Sequence, residues 1–337
     1  MDIYPLIRPL LFRLPPETAH RVTFNLLHLG KAMRLMRRSQ QADQQPVQLM
    51  GLDFPNRVGL AAGLDKNAEH IEALTQLDFG FIEVGTITPK PQPGNPKPRM
   101  FRIPEQQALI NRMGFNNHGL AQALENIAAQ STSVPLGINI GKNFFTPNEQ
   151  AVDDYLTGLT QVWQLADYIS INISSPNTKG LRDLQGGDAF STLLSRLAEK
   201  RDQLADQHQN YKPLVVKIAP DLDIDAINLL AEQLQTHGID GVIATNTTID
   251  HSKVESHPHG NEQGGVSGLP VQAQSTEVIR HLRAALGPDF PIIGVGGIDS
   301  LSAAEEKRAA GADLVQVYTG LIYQGPALIR QLAAELT

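Results

Sequence analysis

The stretch YISINISSPNTKGL, residues 168–181, changes from apolar to polar without a break. Isoleucine recurs at every second position from 169 to 173, which is the period of a β-strand. Asn172, Ser175 and Asn177 then offer amide and hydroxyl groups that can all be directed at one bound molecule. This pattern predicts a buried strand that ends in an active site. A strand followed by an ordinary turn is the alternative, and the recurrence of the pattern along the chain decides between them.

The same pattern recurs from residue 57 to the carboxyl terminus. Eight segments are predicted strands: 57–63, 81–87, 135–141, 168–174, 213–219, 241–246, 291–296 and 314–319. Amphipathic segments between and after them are predicted helices: 67–77, 151–165, 188–207, 224–234, 276–286, 302–310 and 326–336. Eight parallel strands, each followed by a helix, make up a (β/α)8 barrel. The predicted fold is therefore α/β, a (β/α)8 TIM barrel with an N-terminal helical extension.

A doubly wound open sheet is the alternative arrangement of these elements. It would ordinarily carry a Gly-x-Gly-x-x-Gly turn after its first strand, and residues 61–66 at this position read AAGLDK. The barrel therefore fits the sequence better. The segment between the second and third strands is too long for a simple loop. Its short β-like runs at 99–103 and 108–112 predict a hairpin over the barrel mouth.

Composition excludes several classes of protein. Of the 337 residues, 41% are hydrophobic and 19% are charged, as in a soluble globular protein with a large core. Cysteine is absent, which excludes disulfides, thiolate metal sites and a cysteine nucleophile and fits a reducing compartment. The 10 histidines show neither His-x-x-x-His nor His-Glu-x-x-His spacing, so no metal site is predicted.

Charge divides the chain into a basic head and an acidic remainder. Residues 1–38 contain seven Lys or Arg side chains against two acidic ones, although the whole chain has a formal net charge of -7. An acidic body argues against general nucleic-acid binding, which requires a basic face. We therefore predict no nucleic-acid partner, and nothing in the sequence indicates an obligate protein partner.

The basic head has two apolar stripes with helical periodicity. They comprise Ile3, Leu6, Ile7, Leu10 and Leu14, and then Ala19, Val22, Leu26, Leu29, Met33 and Met36. Pro9 is expected to kink or delay the first helix. No apolar run approaches the roughly 20 residues of a membrane span, so the head can lie on a membrane but not cross it. A helical hairpin that only packs on the body is the alternative.

Polar, aperiodic residues at 39–46 predict a linker between the head and the barrel. The predicted division of the chain follows from it. Residues 1–45 are predicted to form an amphipathic helical element that can lie on a membrane, together with its linker, and residues 46–337 are predicted to form the barrel.

The strand ends can be compared directly, because the catalytic groups of a TIM barrel lie at the carboxyl ends of its strands. Every end is polar or carries glycine: Gly63 to Lys66, Thr86, Asn139, Asn172 with Ser175 and Asn177, Lys217, Thr245 to Thr247, Gly296 with Gly297, and Tyr318 to Gly320. The asparagines suit a ligand whose ring edge alternates N–H and C=O groups, and Asn111 is a further candidate. A lysine adds a partner for a carboxylate.

Glycines after the last two strands predict a phosphate site. The segments are IIGVGGI, residues 292–298, and GADLVQVYTG, residues 311–320. Backbone N–H groups at such glycines can close on an anion, and this is the usual phosphate position of the barrel fold. Tight turns that simply need glycine are the alternative. A phosphate site beside a polar ring site suggests a cofactor and a substrate in one barrel mouth.

Four motifs resemble those of the dihydroorotate dehydrogenase family, the flavin enzymes of pyrimidine synthesis. They are NRMGFNN at 111–117, INISSPNT at 171–178, IATNTT at 243–248 and GVGGI at 294–298, and the resemblance covers nearly the whole chain. The chain most resembles the quinone-linked, membrane-associated class 2, because it has an N-terminal helical extension and a serine, Ser175, where class 1 enzymes use cysteine as base. This resemblance implies a peripheral location on the cytoplasmic side of the bacterial cell membrane.

The resemblance also implies which residues bind the ligands. FMN is expected at Ala61, Ala62, Gly63, Lys66, Thr86, Asn139, Asn172, Lys217, Thr245, Gly268, Gly297, Tyr318 and Thr319. Dihydroorotate is expected at Lys66, Asn111, Arg112, Met113, Gly114, Phe115, Asn172, Asn177, Asn246 and Thr247. Both sets agree with the strand ends identified from the sequence pattern.

The implied reaction is removal of a proton from C5 of dihydroorotate by Ser175, with hydride transfer from C6 to FMN and electron transfer onward to a quinone. Lys217 would stabilise the negative charge of the reduced flavin. Thr178 and the loop to Gly180 are candidates for a proton route and a lid. Two alternatives remain: another FMN barrel oxidoreductase, such as one that reduces a uracil ring in tRNA, or a non-catalytic barrel that binds membrane surfaces.

Overall fold

A computed structural model describes residues 3–33, 45–178 and 180–337. Met36 of the second apolar stripe and residues 39–44 of the predicted linker lie outside the described residues. The strands are β1 Val47–Leu49, β2 Leu52–Phe54, β3 Val58–Leu60, β4 Phe81–Ile87, β5 Met100–Ile103, β6 Ala108–Asn111, β7 Leu136–Ile140, β8 Tyr168–Asn172, β9 Leu214–Ile218, β10 Gly241–Ala244, β11 Gly265–Gly268, β12 Ile292–Val295 and β13 Leu314–Val317. The helices are α1 Tyr4–Leu11, α2 Pro16–Ala32, α3 Ile71–Thr75, α4 Gly119–Ala128, α5 Ala151–Val162, α6 Gly187–His208, α7 Ile224–Thr236, α8 Gln272–Leu286, α9 Leu301–Ala309, α10 Thr319–Gln324 and α11 Pro326–Glu335.

Eight parallel strands close into a barrel in the order β3, β4, β7, β8, β9, β10, β12 and β13. Each pairs with its neighbour along the chain, and β13 closes the barrel against β3, with Val315 opposite Val58. All eight predicted strands lie at barrel strands, and the predicted TIM barrel is confirmed. The carboxyl ends of these strands therefore meet at one mouth, as the fold requires for a shared site.

Aromatic side chains fill the barrel interior near its amino end. A Cβ on Gly59 would lie 2.2 Å from the ring of Phe81, and a Cβ on Gly137 would lie 2.1 Å from the ring of Tyr168. Only glycine leaves room for these rings. The β1–β2 hairpin, which the sequence pattern did not predict, places Phe54 against the same cluster. The amino end is thus packed with side chains, and the open end is the mouth.

A small antiparallel sheet of β5, β6 and β11 lies over the mouth. The predicted hairpin is confirmed as β5 and β6, with Met100 opposite Asn111. Its third strand, β11, was not predicted, and it pairs Gly268 with Ala108. This sheet positions Asn111 and Gly268, from opposite strands, beside the barrel mouth.

The two N-terminal helices pack on the barrel through a small number of side chains. Pro9 lies inside α1, so it does not delay that helix. The Tyr4 hydroxyl donates to the carbonyl of Ile322 at 2.6 Å, and Phe24 of α2 is buried in the main core. Leu26 of the predicted stripe is half exposed instead. None of the helices in the described part of the chain is both long enough and apolar enough to cross a membrane.

Candidate active site

One cavity, here called the mouth cavity, lies at the carboxyl ends of the barrel strands. Most of the residues expected to bind ligands line it: Ala61, Ala62, Gly63, Lys66, Thr86, Asn111, Met113, Gly114, Phe115, Asn172, Ser175, Asn177, Lys217, Thr245, Asn246, Thr247, Gly268, Gly297, Tyr318 and Thr319. Side chains far apart in sequence therefore face the same space. Val271, Val295, Ile298 and Gln316 also line it, although the sequence pattern did not single them out.

Two of the expected ligand-binding residues do not line the mouth cavity. Asn139 is fully buried, and its Nδ2 donates to Glu83 at 2.8 Å and to the Ser170 hydroxyl at 2.9 Å. It lies one layer below the cavity, at the second-last position of β7. The guanidinium of Arg112 donates to Glu262 at 2.7 Å and lies over the Phe101 ring. Its side chain is therefore engaged outside the cavity.

Ser175 follows β8, and its side chain is almost completely buried. Its hydroxyl oxygen accepts a hydrogen bond of 3.2 Å from the backbone N–H of Asn177. That contact occupies one lone pair of the oxygen and leaves the other lone pair and the hydroxyl proton free. No histidine lines the mouth cavity within the described part of the chain, so Ser175 lacks the usual activating base.

Amide side chains around the cavity are held by contacts within the protein. Asn172 donates to the Thr86 hydroxyl at 2.9 Å, and Asn246 donates to the Ser174 hydroxyl at 2.9 Å. Asn177 reaches across to the backbone carbonyl of Asn111 at 3.2 Å. Fixed orientations of this kind determine which amide atoms are available to a ligand.

Arg182 connects the ends of three barrel strands, and the sequence pattern did not identify it. Its guanidinium donates to the carbonyl of Ser174 at 3.1 Å and to the carbonyl of Thr247 at 2.8 Å. It also forms an ion pair of 2.7 Å with Asp221, in the loop after β9. A planar guanidinium can make these contacts simultaneously. Arg182 thereby fixes the backbone next to Ser175.

Two lysines supply positive charge to the cavity. Burial, the largest cause, lowers the pKa of Lys66 to about 8, and its ammonium donates to the carbonyl of Gly63 at 2.6 Å. Lys66 is therefore mostly protonated at pH 7. Burial also lowers the pKa of Lys217, while the negative charge of Glu83 acts in the opposite direction. Both ammonium groups are suited to anionic parts of a ligand.

Glycines after β12 and β13, here called the glycine cradle, line the mouth cavity, and packing within the protein requires glycine at two of them. Gly296 and Gly297 have φ angles of 121° and 73°, and a Cβ on Gly297 would lie 2.3 Å from the Cβ of Gln272. A Cβ on Gly320 would lie 2.0 Å from the carbonyl of Ile298. The Oε1 of Gln316 is buried without a hydrogen-bond partner in the described part of the chain. Backbone N–H groups of glycines at this position can bind an anion, and the free acceptor of Gln316 suits a ligand N–H.

A second cavity, here called the helix-covered cavity, has a volume of about 630 Å³ and lies between the N-terminal helices and the barrel. Its lining is mainly aliphatic and aromatic and includes Ile7, Leu11, Phe24, Leu27, Leu64, Leu77, Leu109, Leu321 and Ile322. Tyr318 lines both cavities. The side chain of Tyr318 therefore connects an apolar space under α1 and α2 with the polar barrel mouth.

Comparisons with known proteins agree on one family. The family model described as Dihydroorotate dehydrogenase matches residues 45–337. A Chromobacterium violaceum protein named Dihydroorotate dehydrogenase (quinone) is 58% identical over 332 residues, covering 98% of this chain and 96% of its own length. A protein of the same name from Delftia acidovorans is 56% identical over 339 residues, covering 99% and 97%. A crystal structure of DHODH from Eimeria tenella in complex with ferulenol superposes with a TM-score of 0.89 at 37% identity, covering 100% of this chain and 94% of that one.

Proposed function

The chain belongs to the dihydroorotate dehydrogenase family, and we propose that it oxidises (S)-dihydroorotate to orotate with FMN as hydride acceptor and a quinone as final electron acceptor. It is an oxidoreductase, and its reaction belongs to pyrimidine biosynthesis. One observation carries the proposal: Ser175, Lys217 and the cavity amides face one mouth cavity together with a glycine cradle. FMN held in this cavity would supply a ring that accepts hydride and a route for the electrons to the quinone.

The glycines after β12 and β13 are proposed to hold the FMN phosphate through backbone N–H groups. Lys217 has a buried ammonium for which no protein hydrogen bond is found among the described residues, so it is available to the flavin ring. A fixed cation there stabilises the negative charge of the reduced ring. Gln316 offers an unpaired acceptor to a ligand N–H.

Substrate binding is assigned to the part of the mouth cavity away from the glycines after β12 and β13. Asn111, Asn172, Asn177 and Asn246 are proposed to bind the N–H and C=O groups of the dihydroorotate ring, and Lys66 its carboxylate. These contacts hold the ring in a reactive orientation. Arg112 has its guanidinium on Glu262, so any contact from it would be made by its backbone.

Ser175 is proposed to remove the proton from C5 of dihydroorotate. A serine is a weak base, so the proton needs a route onward from a pocket that excludes water. Thr178 lies three residues later, and its hydroxyl is buried without a hydrogen-bond partner in the described part of the chain. A buried, unpaired hydroxyl can accept a proton from one neighbour and donate its own. We assign the proton route to Thr178, and unchanged proton-transfer kinetics in Thr178→Val would refute this.

The helix-covered cavity is proposed to admit the quinone, because its lining matches an apolar ring and tail. Leu6, Leu10, Leu26 and Leu29 are exposed on α1 and α2, with exposed fractions of 78%, 62%, 50% and 54%. Exposed leucines together with a basic head suit a peripheral site on an anionic membrane surface. We place this surface on the cytoplasmic side of the bacterial cell membrane.

Anaerobic mixing of the purified protein with dihydroorotate tests the proposal. A yellow protein whose flavin absorbance falls on mixing, and recovers on addition of a long-tailed quinone, is the expected result. A colourless protein that takes up no FMN would contradict the cofactor assignment. Flavin that stays oxidised with dihydroorotate but is reduced by a different pyrimidine would contradict the substrate assignment.

A further inference from the structure

Glu83 is a fully buried carboxylate at the centre of the barrel, on β4. It accepts hydrogen bonds from Asn139 Nδ2 at 2.8 Å, from the Tyr168 hydroxyl at 2.9 Å and from Gln316 Nε2 at 2.8 Å. All three partners are donors, which matches the acceptor-only, ionised form of a carboxylate. Burying a charge costs folding free energy, because the charge loses its contact with water. A buried carboxylate directly beneath a ligand cavity therefore indicates a functional role.

The carboxylate lies one side-chain layer beneath the floor of the mouth cavity. Gln316 bonds to Glu83 through its Nε2 and also lines the cavity. Asn139 bonds to Glu83 and accepts from the Thr86 hydroxyl at 2.6 Å, and Thr86 lines the cavity as well. Glu83 therefore touches the cavity only through other side chains. It cannot bind a ligand directly, but its charge acts across a short, water-poor distance.

Lys217 is a cation at the same cavity, with a charge opposite to that of Glu83. Its side chain is 5% exposed and lines the cavity, and the charge of Glu83 favours its protonated form. A cation facing the cavity favours electrons on a bound flavin, whereas an anion below the floor disfavours them. The two residues thus act on the same ligand with opposite sign.

We propose that Glu83 is a positioning residue that lowers the reduction potential of the bound flavin, offsets the charge of Lys217 and so keeps the reduced flavin able to pass its electrons to the quinone. This inference rests on the proposed function, because it requires FMN in the mouth cavity. For a fixed unit charge at an effective dielectric constant of about 20 and a separation of about 10 Å, the preference for reduced over oxidised flavin changes roughly tenfold. A tenfold change corresponds to about 30 mV for a two-electron couple.

The test is a redox titration of holoprotein variants, which does not depend on turnover. Glu83→Gln should shift the reduction potential of the flavin by about 30 mV to more positive values. Glu83→Asp retains the charge and should stay near the parental value. Lys217→Met removes the cation and should shift the potential in the negative direction. An unchanged or more negative potential in Glu83→Gln would overturn the proposal, as would an equal positive shift in Glu83→Asp.

Tyr168→Phe is the matched control, because it removes one donor to Glu83 and keeps the charge. Its potential should stay level or become more negative, since a partial positive charge is removed from beside the carboxylate. A positive shift in this variant would show that disruption of the network, and not the charge, moves the potential. Should Glu83→Gln fail to fold, Glu83→Met takes its place, because it also removes the charge and is judged by the same criterion as Glu83→Gln. Failure of the parental protein to take up FMN would instead contradict the proposed function.

Discussion

The mouth cavity and the helix-covered cavity share Tyr318 but are built in different ways. Polar side chains from the ends of the barrel strands line the mouth cavity, and contacts within the protein fix their orientation. Aliphatic and aromatic side chains from two helices and the barrel surface line the helix-covered cavity. A rigid polar site suits a small polar ring, whereas an apolar space suits a ligand defined by its shape and hydrophobicity.

The two cavities also differ in how they are held together. The wall of the mouth cavity is the closed barrel, in which each strand pairs with two neighbours. The outer wall of the helix-covered cavity depends on α1 and α2. Polar contacts that attach them include Arg8 to the carbonyl of Tyr323 at 2.7 Å and His20 with the carbonyl of Leu64 at 2.7 Å. We therefore expect changes at one cavity to affect only one half of the reaction.

The largest effect is expected for Ser175→Ala. Loss of the proposed base should slow flavin reduction by dihydroorotate by roughly 10²- to 10⁴-fold, as measured by anaerobic stopped-flow absorbance. Oxidation of the chemically reduced flavin by quinone should stay unchanged, because the helix-covered cavity is not altered. Flavin reduction at the parental rate in this variant would move the base to another residue and would remove the chemical distinction between the cavities.

A chain that starts at Gln45 should show the reverse pattern. It retains all eight barrel strands and the whole mouth cavity, so it should bind FMN and be reduced by dihydroorotate at close to the parental rate. Oxidation by a long-tailed quinone should fall by more than about tenfold. Losing the apolar contact area of about one buried leucine already weakens binding by that factor. Binding to anionic vesicles should fall as well.

Short, soluble electron acceptors are the control for this truncation, and they should be affected much less. Vesicle binding by the full chain should weaken with added salt, since cations supplement the apolar face. A truncated protein that folds and turns over long-tailed quinone as the full chain does would contradict the proposed role of α1 and α2. A truncated protein that unfolds would show that these helices are part of the structural core.

Arg182→Met should have an intermediate effect that is confined to the mouth cavity. It removes three contacts of a charged group, with Ser174, Thr247 and Asp221. We expect about a tenfold loss of kcat/KM for dihydroorotate, because the backbone beside Ser175 is no longer fixed. Arg182→Lys should recover only part of it, since an ammonium lacks the planar geometry. If kcat/KM for dihydroorotate and the rate of flavin oxidation by quinone fell by the same factor, the result would indicate general destabilisation instead.

The smallest effect is expected from pH, at the contact between α2 and the barrel. Burial, together with Lys66, lowers the pKa of His20 from 6.5 to about 4, and burial, together with His28, does the same for His70. Neutral histidines therefore stabilise the packed helix above pH 6.5, and this contribution is lost as the pH falls toward about 4. As the pH falls from 6.5 toward about 4, the backbone amides of α2 should exchange hydrogen faster, relative to the intrinsic exchange rate of an unprotected amide at each pH. Equal acceleration in β7 would contradict a local effect.

Much of the mouth cavity could be predicted from the sequence, because each strand carries its functional group at its own carboxyl end. Asn139 shows the limit of this reasoning. It lies one residue before the end of β7, and this offset directs its side chain to the layer that contains Glu83. Glu83 itself looks like an ordinary polar interruption of a strand. Arg182 could not be predicted either, since its partners Thr247 and Asp221 lie 65 and 39 residues away.

The helix-covered cavity was less predictable for a different physical reason. The period of the N-terminal stripes indicated the helices, but a period does not specify which surface covers which face. In the structure, Phe24 and Leu11 face the protein, whereas Leu26 and Met33 of the predicted stripe are exposed. The β1–β2 hairpin and β11 were missed because strands of three or four residues give too few positions for a clear alternation.

Closure of the barrel between β3 and β13 determines the order in which the molecule can be made. Val58 and Val315 are paired in this closure, yet about three quarters of the chain separates them. A ribosome must therefore synthesise all eight barrel strands before the last pairing can form, and contacts of such long sequence separation form slowly. Tyr318 and Thr319, which line the mouth cavity, follow β13 directly. The nascent chain accordingly cannot assemble its ligand pocket until β13 and the residues that follow it have been synthesised.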